Sequence, residues 1–566
     1  MKRHNLFMVL SGLVVLSLML AACGTPTAET VAPTQPPAPT EPTMPEGPPF
    51  ADERVRQAVA MAIDRQRIVD TFYPPGSSVA DQFLPVGLLA RDDTATWYEF
   101  DPEAARALLA EAGYPDGFTT TLKYRDVFRG YLPEPDLVAQ DIAAQLLENL
   151  NITAEIVEME SGTFLDASDA GELEGLHLLG WTGDYPDSTN FYDFHFGSGA
   201  SDQFGDKFED ITSRLAAAAQ LGDEEARRAI YAEVNALIKE HVPMVPVAHG
   251  ASAAAYKATV VGAHASPLGN ESLEVMGIPG QDTFTFMQNG EPPGLYCADE
   301  TDGEALRVCE QINESLLAYE VGGAEVIPSL ATGYTVNDDA TEWTFTLREG
   351  VTFHDGSDFE ATDVVLSWLV QWDTAHPLHV GRDGSFSYYS GLFGGFAEGV
   401  AFDGTKAEVA SCDYGGIMKS IEAVDPMTVV FTTCVPDPSF PAKAAFSSFQ
   451  IYPSEYLEST GGGGELVEHP IGTGPYMLEA WNRGENVVLT RFDDYWGEPA
   501  LAQTAIFRWS AEGAQKLIEL QAGTVDGIDN VAPDDIPTIQ GDANLQLTPR
   551  APFNIFYLGM NNAPPE

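Results

Sequence analysis

Four cysteines, Cys297, Cys309, Cys412 and Cys434, have the chemistry most sensitive to surroundings. Their even number suits two disulfides in an oxidising compartment, and sequence proximity favours Cys297–Cys309 and Cys412–Cys434. The second pair brackets residues 417–433, where Asp425-Pro426 reads as the turn of a hairpin. Metal ligation is the rival chemistry, but there is no close CxxC pair and no histidine spaced to complete a site. His376 and His379 (HPLH) offer two ligands in a loop, too few for a metal site, and read as surface histidines. No GxSxG elbow, HExxH helix or Walker-type glycine loop occurs, and nothing sets a nucleophile beside a base. Acids are abundant everywhere, so no catalytic pair stands out among them. An enzyme is not expected, nor is a cofactor or metal.

The chain has 566 residues, 28 Lys and Arg against 85 Asp and Glu, and a formal net charge of −57. At roughly 100–200 residues per domain, the length implies two to four compact units. Hydrophobic residues make up 44% and aromatics 10%, which supports sizeable cores and excludes wholesale disorder. Nucleic acid is excluded as a partner, because phosphate contacts need the Lys and Arg this chain lacks. The acidic surface repels anionic membranes and polyanions, and it favours a monomer. Two readings of the charge stay open: a soluble secreted protein suited to a salty medium, or attraction for a cationic ligand.

The elements that must position any site follow from periodicity. Residues 54–70 carry Val55, Val59, Ala62 and Ile63 at helical spacing. Asp101-Pro102 reads as an N-cap and first-turn proline of a helix that Gly113 ends. Residues 136–150 are amphipathic, residues 152–157 and 176–181 read as strands, and Gly222-Asp223 caps a helix running to Lys239. Helices alternating with strands indicate an α/β unit. Beyond it, residues 283–287, 343–347, 429–433 and 487–491 read as strands, with helices near 302–317 and 361–372. This second part is expected to be a larger, strand-rich unit.

At the N-terminus, Lys2 and Arg3 precede an apolar stretch over 6–20, which closes on Leu20-Ala21-Ala22-Cys23. That ending resembles the lipobox of bacterial lipoproteins, in which the cysteine is acylated. Residues 1–23 are therefore expected to be a lipoprotein signal peptide, with Cys23 as the lipidation site. Residues 24–49 hold nine prolines and no Lys or Arg. They read as an extended tether that spans on the order of 80 Å at about 3.1 Å per residue. No later stretch is apolar for long enough to cross a bilayer, so a lipid is the expected anchor. The protein is expected outside the cytoplasm, in the periplasm or at the cell surface.

Residues 343–368 (WTFTLREGVTFHDGSDFEATDVVLSW), 469–476 (HPIGTGPY) and 493–497 (DDYWG) resemble the extracellular solute-binding proteins of the oligopeptide/dipeptide ABC-import family, family 5. So do residues 50–64, 101–118 (DPEAARALLAEAGYPDGF) and 180–191 (GWTGDYPDSTNF). The resemblance implies an α/β, two-lobed periplasmic-binding-protein fold of the large peptide-binding type, with ligand held between closing lobes. The order of blocks differs, however. In the family, blocks like 283–368 come first, whereas here those like 54–191 lead. Each block occurs once, so the chain resembles a circular permutation. Residues 50–240 then form the smaller lobe and 241–566 the larger, joined covalently only around 239–247, with a loosened hinge expected.

An extended peptide carries an amine at one end and a carboxylate at the other, and burying either without a partner is costly. In dipeptide-binding members of the family, the aspartate of a GW(T/S)GD loop meets the amine. Gly180-Trp181-Thr182-Gly183-Asp184 matches it, which makes Asp184 the amine partner and Trp181 an apolar wall. The backbone of Thr182 and Gly183 is available in this reading for pairing with a peptide strand. An arginine in an R-P-Y-like turn takes the carboxylate, and Arg129-Gly130-Tyr131 resembles it. Gly130 departs from the proline, which loosens the turn, and Arg125 stands nearby as an alternative. The resemblance implies delivery of a peptide to ABC permease subunits powered by their ATPases. Alternatives keep the fold and change the ligand to a metal chelate, haem or sugar, or make the chain a ligand sensor; a hydrolase or chaperone on the same fold is more remote.

Overall fold

The computed structural model describes residues 45, 47–88 and 90–563. The described residues fall within one compact unit, Met44–Glu566. The expected signal, Cys23 and most of the tether lie outside the described residues. Among the described residues, no helix is long and apolar enough to cross a membrane.

The fold is mixed α/β with two lobes. One lobe is built on a six-stranded sheet in the order Ser78–Val79, Met244–His249, Asn554–Met560, Leu176–Thr182, Thr119–Arg125, Thr153–Met159. The Thr119–Arg125 strand runs parallel to both its neighbours, whereas Asn554–Met560 is antiparallel to both of its own. Helices Glu53–Ala62, Pro102–Glu111 and Pro135–Leu150 pack on one another, and the last covers the parallel strands. Their apolar faces merge into one core around Val59, Leu109, Ile142, Leu178 and Tyr557. The helix expected over 54–70 is in fact two. Asp64 accepts the Arg67 N–H at 3.0 Å and caps a second helix, Arg65–Phe72, after Ile63 turns extended. Gly113 ends its helix as expected, at φ +98°, where a side chain would be strained.

The other lobe holds two sheets. A seven-stranded sheet runs Tyr476–Asn482, Asn486–Arg491, Thr504–Trp509, Thr283–Gln288, Gly527–Ile528, Ser252–Lys257, Leu545–Arg550. A six-stranded antiparallel sheet runs Ala331–Val336, Glu342–Leu347, Thr428–Thr433, Met418–Asp425, Lys406–Glu408, Ala401–Phe402. Asp425 pairs with Thr428 across the hairpin turn read from Asp425-Pro426. Trp368 of the Ala361–Trp372 helix is fully buried on this sheet, its ring 4.9 Å from Phe431. The helix expected over 302–317 stops at Ile312, and Leu317–Tyr319 instead pairs with Val326–Pro328. Both expected disulfides are present, Cys297–Cys309 and Cys412–Cys434, with Cα separations of 6.3 and 5.8 Å.

The boundary expected at 240/241 does not coincide with the sheets. Met244–His249 and Asn554–Met560 both belong to the first lobe's sheet, because their all-buried apolar runs need cover on two faces. The chain therefore crosses between lobes twice, at 250–251 and at 551–553, and not once around 239–247. The two crossings are clamped together. Asn554 Nδ2 donates to Gly250 O at 2.7 Å, and Gly250 N–H donates to Asn554 Oδ1 at 2.8 Å. A ring nitrogen of His249 bonds Asn554 O at 2.6 Å. The single covalent link from which a loosened hinge was expected is not the arrangement found.

Candidate ligand-binding cleft

A cavity of about 160 Å³ lies between the lobes, beside these crossings. Arg129, Tyr131, Trp181, Thr182 and Asp184 all line it, so five of the six expected site residues come together. Gly183 does not.

The loop 182–188 leaves the strand Leu176–Thr182 and enters the helix Thr189–Phe196. Asp187 fixes that entry: it accepts the Thr189 N–H at 2.9 Å and pairs with buried Arg227 at 2.6 Å. Asn190 holds the loop's other side through its side-chain oxygen, which accepts from the Asp184 N–H at 2.8 Å and from Trp181 Nε1 at 3.2 Å. The Asp184 carboxylate accepts from Asn190 Nδ2 at 2.9 Å and, across the cleft, from Tyr388 OH at 3.0 Å. Among the described residues no Lys or Arg forms an ion pair with it. Asp184 is half-buried in the cleft wall. Burial accordingly pushes its carboxyl up from 3.8 to about 7, against the pull of the Asn190 and Tyr388 hydrogen bonds.

Trp181 stacks on Phe194 at 4.2 Å and meets His195 edge-on at 4.9 Å, and it packs against the cores of both lobes. It is wall and core at once. Gly183 serves the hinge rather than a ligand. Its N–H donates to Phe553 O at 2.9 Å, and a Cβ there would lie 2.2 Å from the Phe553 ring. Its N–H is thus committed to the crossing and is not open to a peptide strand. Gly180 has a comparable role beneath Tyr131, whose ring a Cβ would meet at 2.3 Å.

The Arg129-Gly130-Tyr131 turn does not need proline. Arg129 and Leu132 close it by reciprocal backbone hydrogen bonds of 3.1 and 3.0 Å. The Arg129 guanidinium, however, is already paired, with Asp302 at 3.0 Å and Glu304 at 2.5 Å. Both acids sit at the start of the Gly303–Ile312 helix in the other lobe, so the pairs bridge the cleft. Burial and the neighbouring Glu304 charge push Asp302 up, while Arg129 pulls Glu304 down despite its burial. Arg125 donates to Ser161 Oγ at 2.8 Å and lies 4.0 Å from Asp302.

The cleft floor escaped the sequence reading. Arg307 pairs with Glu271 at 2.9 Å and Asp529 at 2.8 Å, and Arg550 pairs with Asp529 at 2.7 Å and also with Glu271. All four are buried, and such a square holds only when every charge is met. No spacing signals it, since its members come from 271, 307, 529 and 550. Tyr388 was equally hidden, whereas Asn190 lies inside the GWTGDYPDSTNF block. His376 and His379 are half-buried in their loop: His376 Nδ1 accepts the Leu378 N–H at 3.3 Å, and His379 Nδ1 bonds Val370 O at 2.7 Å. Among the described residues no cluster of three or more His, Cys, Asp or Glu could hold a metal.

Residues 37–203 and 325–565, well over half the chain, match the profile of the bacterial extracellular solute-binding proteins, family 5 Middle. The chain belongs to this family. Within family 5, it is 27% identical over 289 residues to a dipeptide-binding protein of Escherichia coli K12, covering 49% of this chain and 50% of that one. It is 30% identical over 292 residues to heme-binding protein A of Haemophilus influenzae, covering 50% and 49%. The chain thus spans about half the length of the curated relatives it matches. A solved periplasmic binding protein of Helicobacter pylori in complex with the peptide STSA is 26% identical, with a TM-score of 0.41 over 46% of this chain and 49% of that one. The family 5 match falls on both walls of the cleft: it contains Arg129, Trp181 and Asp184 on one side and Tyr388 on the other.

Proposed function

We propose that this chain captures peptides between its lobes and delivers them to the permease of an ABC importer, held outside the cytoplasm by a lipid on Cys23. The observation that carries the reading is Asp184, a carboxylate with hydrogen-bond donors but no cation, at the wall of an interlobe cleft. A peptide ammonium is the missing partner: it relieves the desolvated charge without displacing Tyr388 or Asn190. Relatives named as dipeptide- and di/tripeptide-binding proteins support the same ligand class.

The other end of the peptide meets a site that is already occupied. Its carboxylate takes the place of Asp302 on Arg129, with Arg125 alongside. Asp302 yields because burial and Glu304 already disfavour its charge. Trp181 and Tyr131 flank the peptide.

The circular permutation belongs to this proposal. Pro48, Pro49 and Phe50 line one cavity of about 320 Å³ together with Asn561 and Ala563. Segments that the block order would make continuous are therefore neighbours, as permutation requires. A tryptic peptide continuing past Glu566 into a repeat of the 54–70 block would overturn it.

Native mass spectrometry of the purified full chain in detergent, exposed to a mixed tryptic digest, tests the ligand. Bound masses of a few residues, lost in Asp184→Ala, are expected. A folded chain that ignores peptides but carries another mass overturns the peptide reading in favour of a metal chelate, haem or sugar.

A further inference from the structure

We propose that a second cavity, opening off the first at Glu310, takes the cationic side chain of a bound peptide, so that the protein selects peptides bearing lysine or arginine. The inference rests on the peptide reading above.

The second cavity has a volume of about 220 Å³ and shares Asn270, Glu310 and Ser447 with the first. A ligand anchored in one can therefore place a side chain in the other. Glu274, Glu310, Glu314 and Glu320 line it, and no Lys or Arg does. The cation beside its wall, Arg348, lies 4.0 Å over the Trp496 ring and donates to Ser329 O at 3.0 Å, so it is spent on the wall. In the first cavity, by contrast, Arg129, Arg307 and Arg550 each pair with acids.

Buried amides point to a ligand independently of the acids. Asn313 is 1% exposed and Gln450 2% exposed, and both line this cavity. Neither the oxygen nor the nitrogen of the Asn313 amide has a hydrogen-bond partner, nor does Gln450 Oε1. Unmet acceptors in a buried site lose free energy that a donor entering the cavity restores. Glu314 is held as an acceptor by Trp496 Nε1 at 2.8 Å, Tyr495 OH at 2.9 Å and Thr473 Oγ1 at 2.8 Å. Glu310 is less committed, with Asn270 Nδ2 at 3.4 Å.

Acceptors in excess, three aromatic rings and no lining cation fit one kind of side chain. A lysine or arginine has a long apolar stem and a head that only donates. The stem lies against Trp496 and the head reaches Glu310, Asn313 and Gln450. A glutamate side chain would meet four acids, and a norleucine would leave the acceptors unmet.

Titration calorimetry of the full chain in detergent with the tripeptides Ala-Lys-Ala, Ala-Nle-Ala and Ala-Glu-Ala tests the proposal. A charge-assisted bond in a desolvated site predicts that Ala-Lys-Ala binds on the order of 10-fold or more tighter than Ala-Nle-Ala, with Ala-Glu-Ala weakest. Glu310→Gln is expected to bring the Lys-to-Nle ratio below about 3-fold, and a ratio equal to wild type overturns the role of Glu310. Equal affinity for the three peptides overturns the subsite and leaves peptide capture standing. Failure of all three to bind overturns the peptide reading and the subsite with it. The wild-type comparison decides the matter even if the Glu310 variant does not fold.

Discussion

Ligand binding at Asp184 should depend steeply on pH, in a direction fixed by its surroundings. Burial lifts its carboxyl from 3.8 to about 7, so in the empty cleft at pH 7 about half the molecules carry the charge. An ammonium needs the charged form. Between pH 7 and pH 5 the charged fraction falls from about one half to about one hundredth, which weakens apparent binding about 50-fold, or ~2.3 kcal/mol. The ligand's own α-amine, with an ordinary pKa of about 7.7–8.0, stays protonated across this window and contributes little. The perturbation is Asp184→Asn, which keeps the shape and can still accept from Tyr388. Titration calorimetry with one short peptide at pH 7, 6 and 5, in buffers of differing ionisation enthalpy, reads both affinity and proton release. Wild type should lose affinity towards pH 5 and release close to one proton per peptide at pH 6. Asp184→Asn should bind more weakly at pH 7 and lose the slope. Other buried acids, Asp169 at about 6 and Glu310 at about 7, are common to both proteins and cancel in the difference. A wild-type affinity flat within about 3-fold, or an Asp184→Asn slope equal to wild type, refutes the reasoning.

Further outcomes follow from the same geometry. Arg129→Met leaves Asp302 and Glu304 buried without their cation and should cost about 3–5 kcal/mol of unfolding free energy at neutral pH, tempered by Arg125; in denaturant melts the loss shrinks as acid protonates the two carboxyls, and an unchanged midpoint refutes the bridge. Gly183→Ala drives a Cβ to 2.2 Å from the Phe553 ring, so it should lower stability by about 1–3 kcal/mol and weaken peptide binding with it; wild-type values of both contradict the packing. Reduction of Cys412–Cys434, 22 residues apart, should remove about 3 kcal/mol in calorimetry without loss of peptide stoichiometry, and a melting temperature unmoved by reductant contradicts this.

The sequence made some parts of the fold and cleft legible because their signals are local. Asp101-Pro102 and Asp223 cap helices by bonds to residues three positions on, and the Asp425-Pro426 turn sets its own hairpin register. The GWTGD segment is likewise one strand end and one loop, so its position in the cleft travels with its sequence. What stayed hidden depends on meetings across the chain. Arg129 was expected to be free, but it meets Asp302, 173 positions away. Gly183 was expected to face a ligand, but it meets Phe553 of the second crossing. The second crossing itself was missed because residues 554–560 read equally well as a strand of either lobe. Only three-dimensional pairing with Leu176–Thr182 and Met244–His249 assigns it.

These distant meetings also bear on the proposed permutation. Each wall of the cleft is a local unit: residues 125–131 and 180–190 from one lobe, 302–310 and 388 from the other. Their relative placement is set by the crossings, which the Asn554 amide holds to each other, while Gly183 holds Phe553 of the second crossing to the 183–188 loop. None of these bonds depends on which segment is translated first. Closure is then a competition. The Arg129 pairs with Asp302 and Glu304 bridge the cleft, and a ligand captured as proposed gains only what exceeds them. A peptide that offers an ammonium to Asp184 makes a contact the empty protein lacks, whereas its carboxylate merely exchanges with Asp302. The cationic end of the ligand should therefore supply most of the net affinity. The carboxylate end should set orientation, so amidating a peptide's C-terminus should weaken binding less than acetylating its N-terminus.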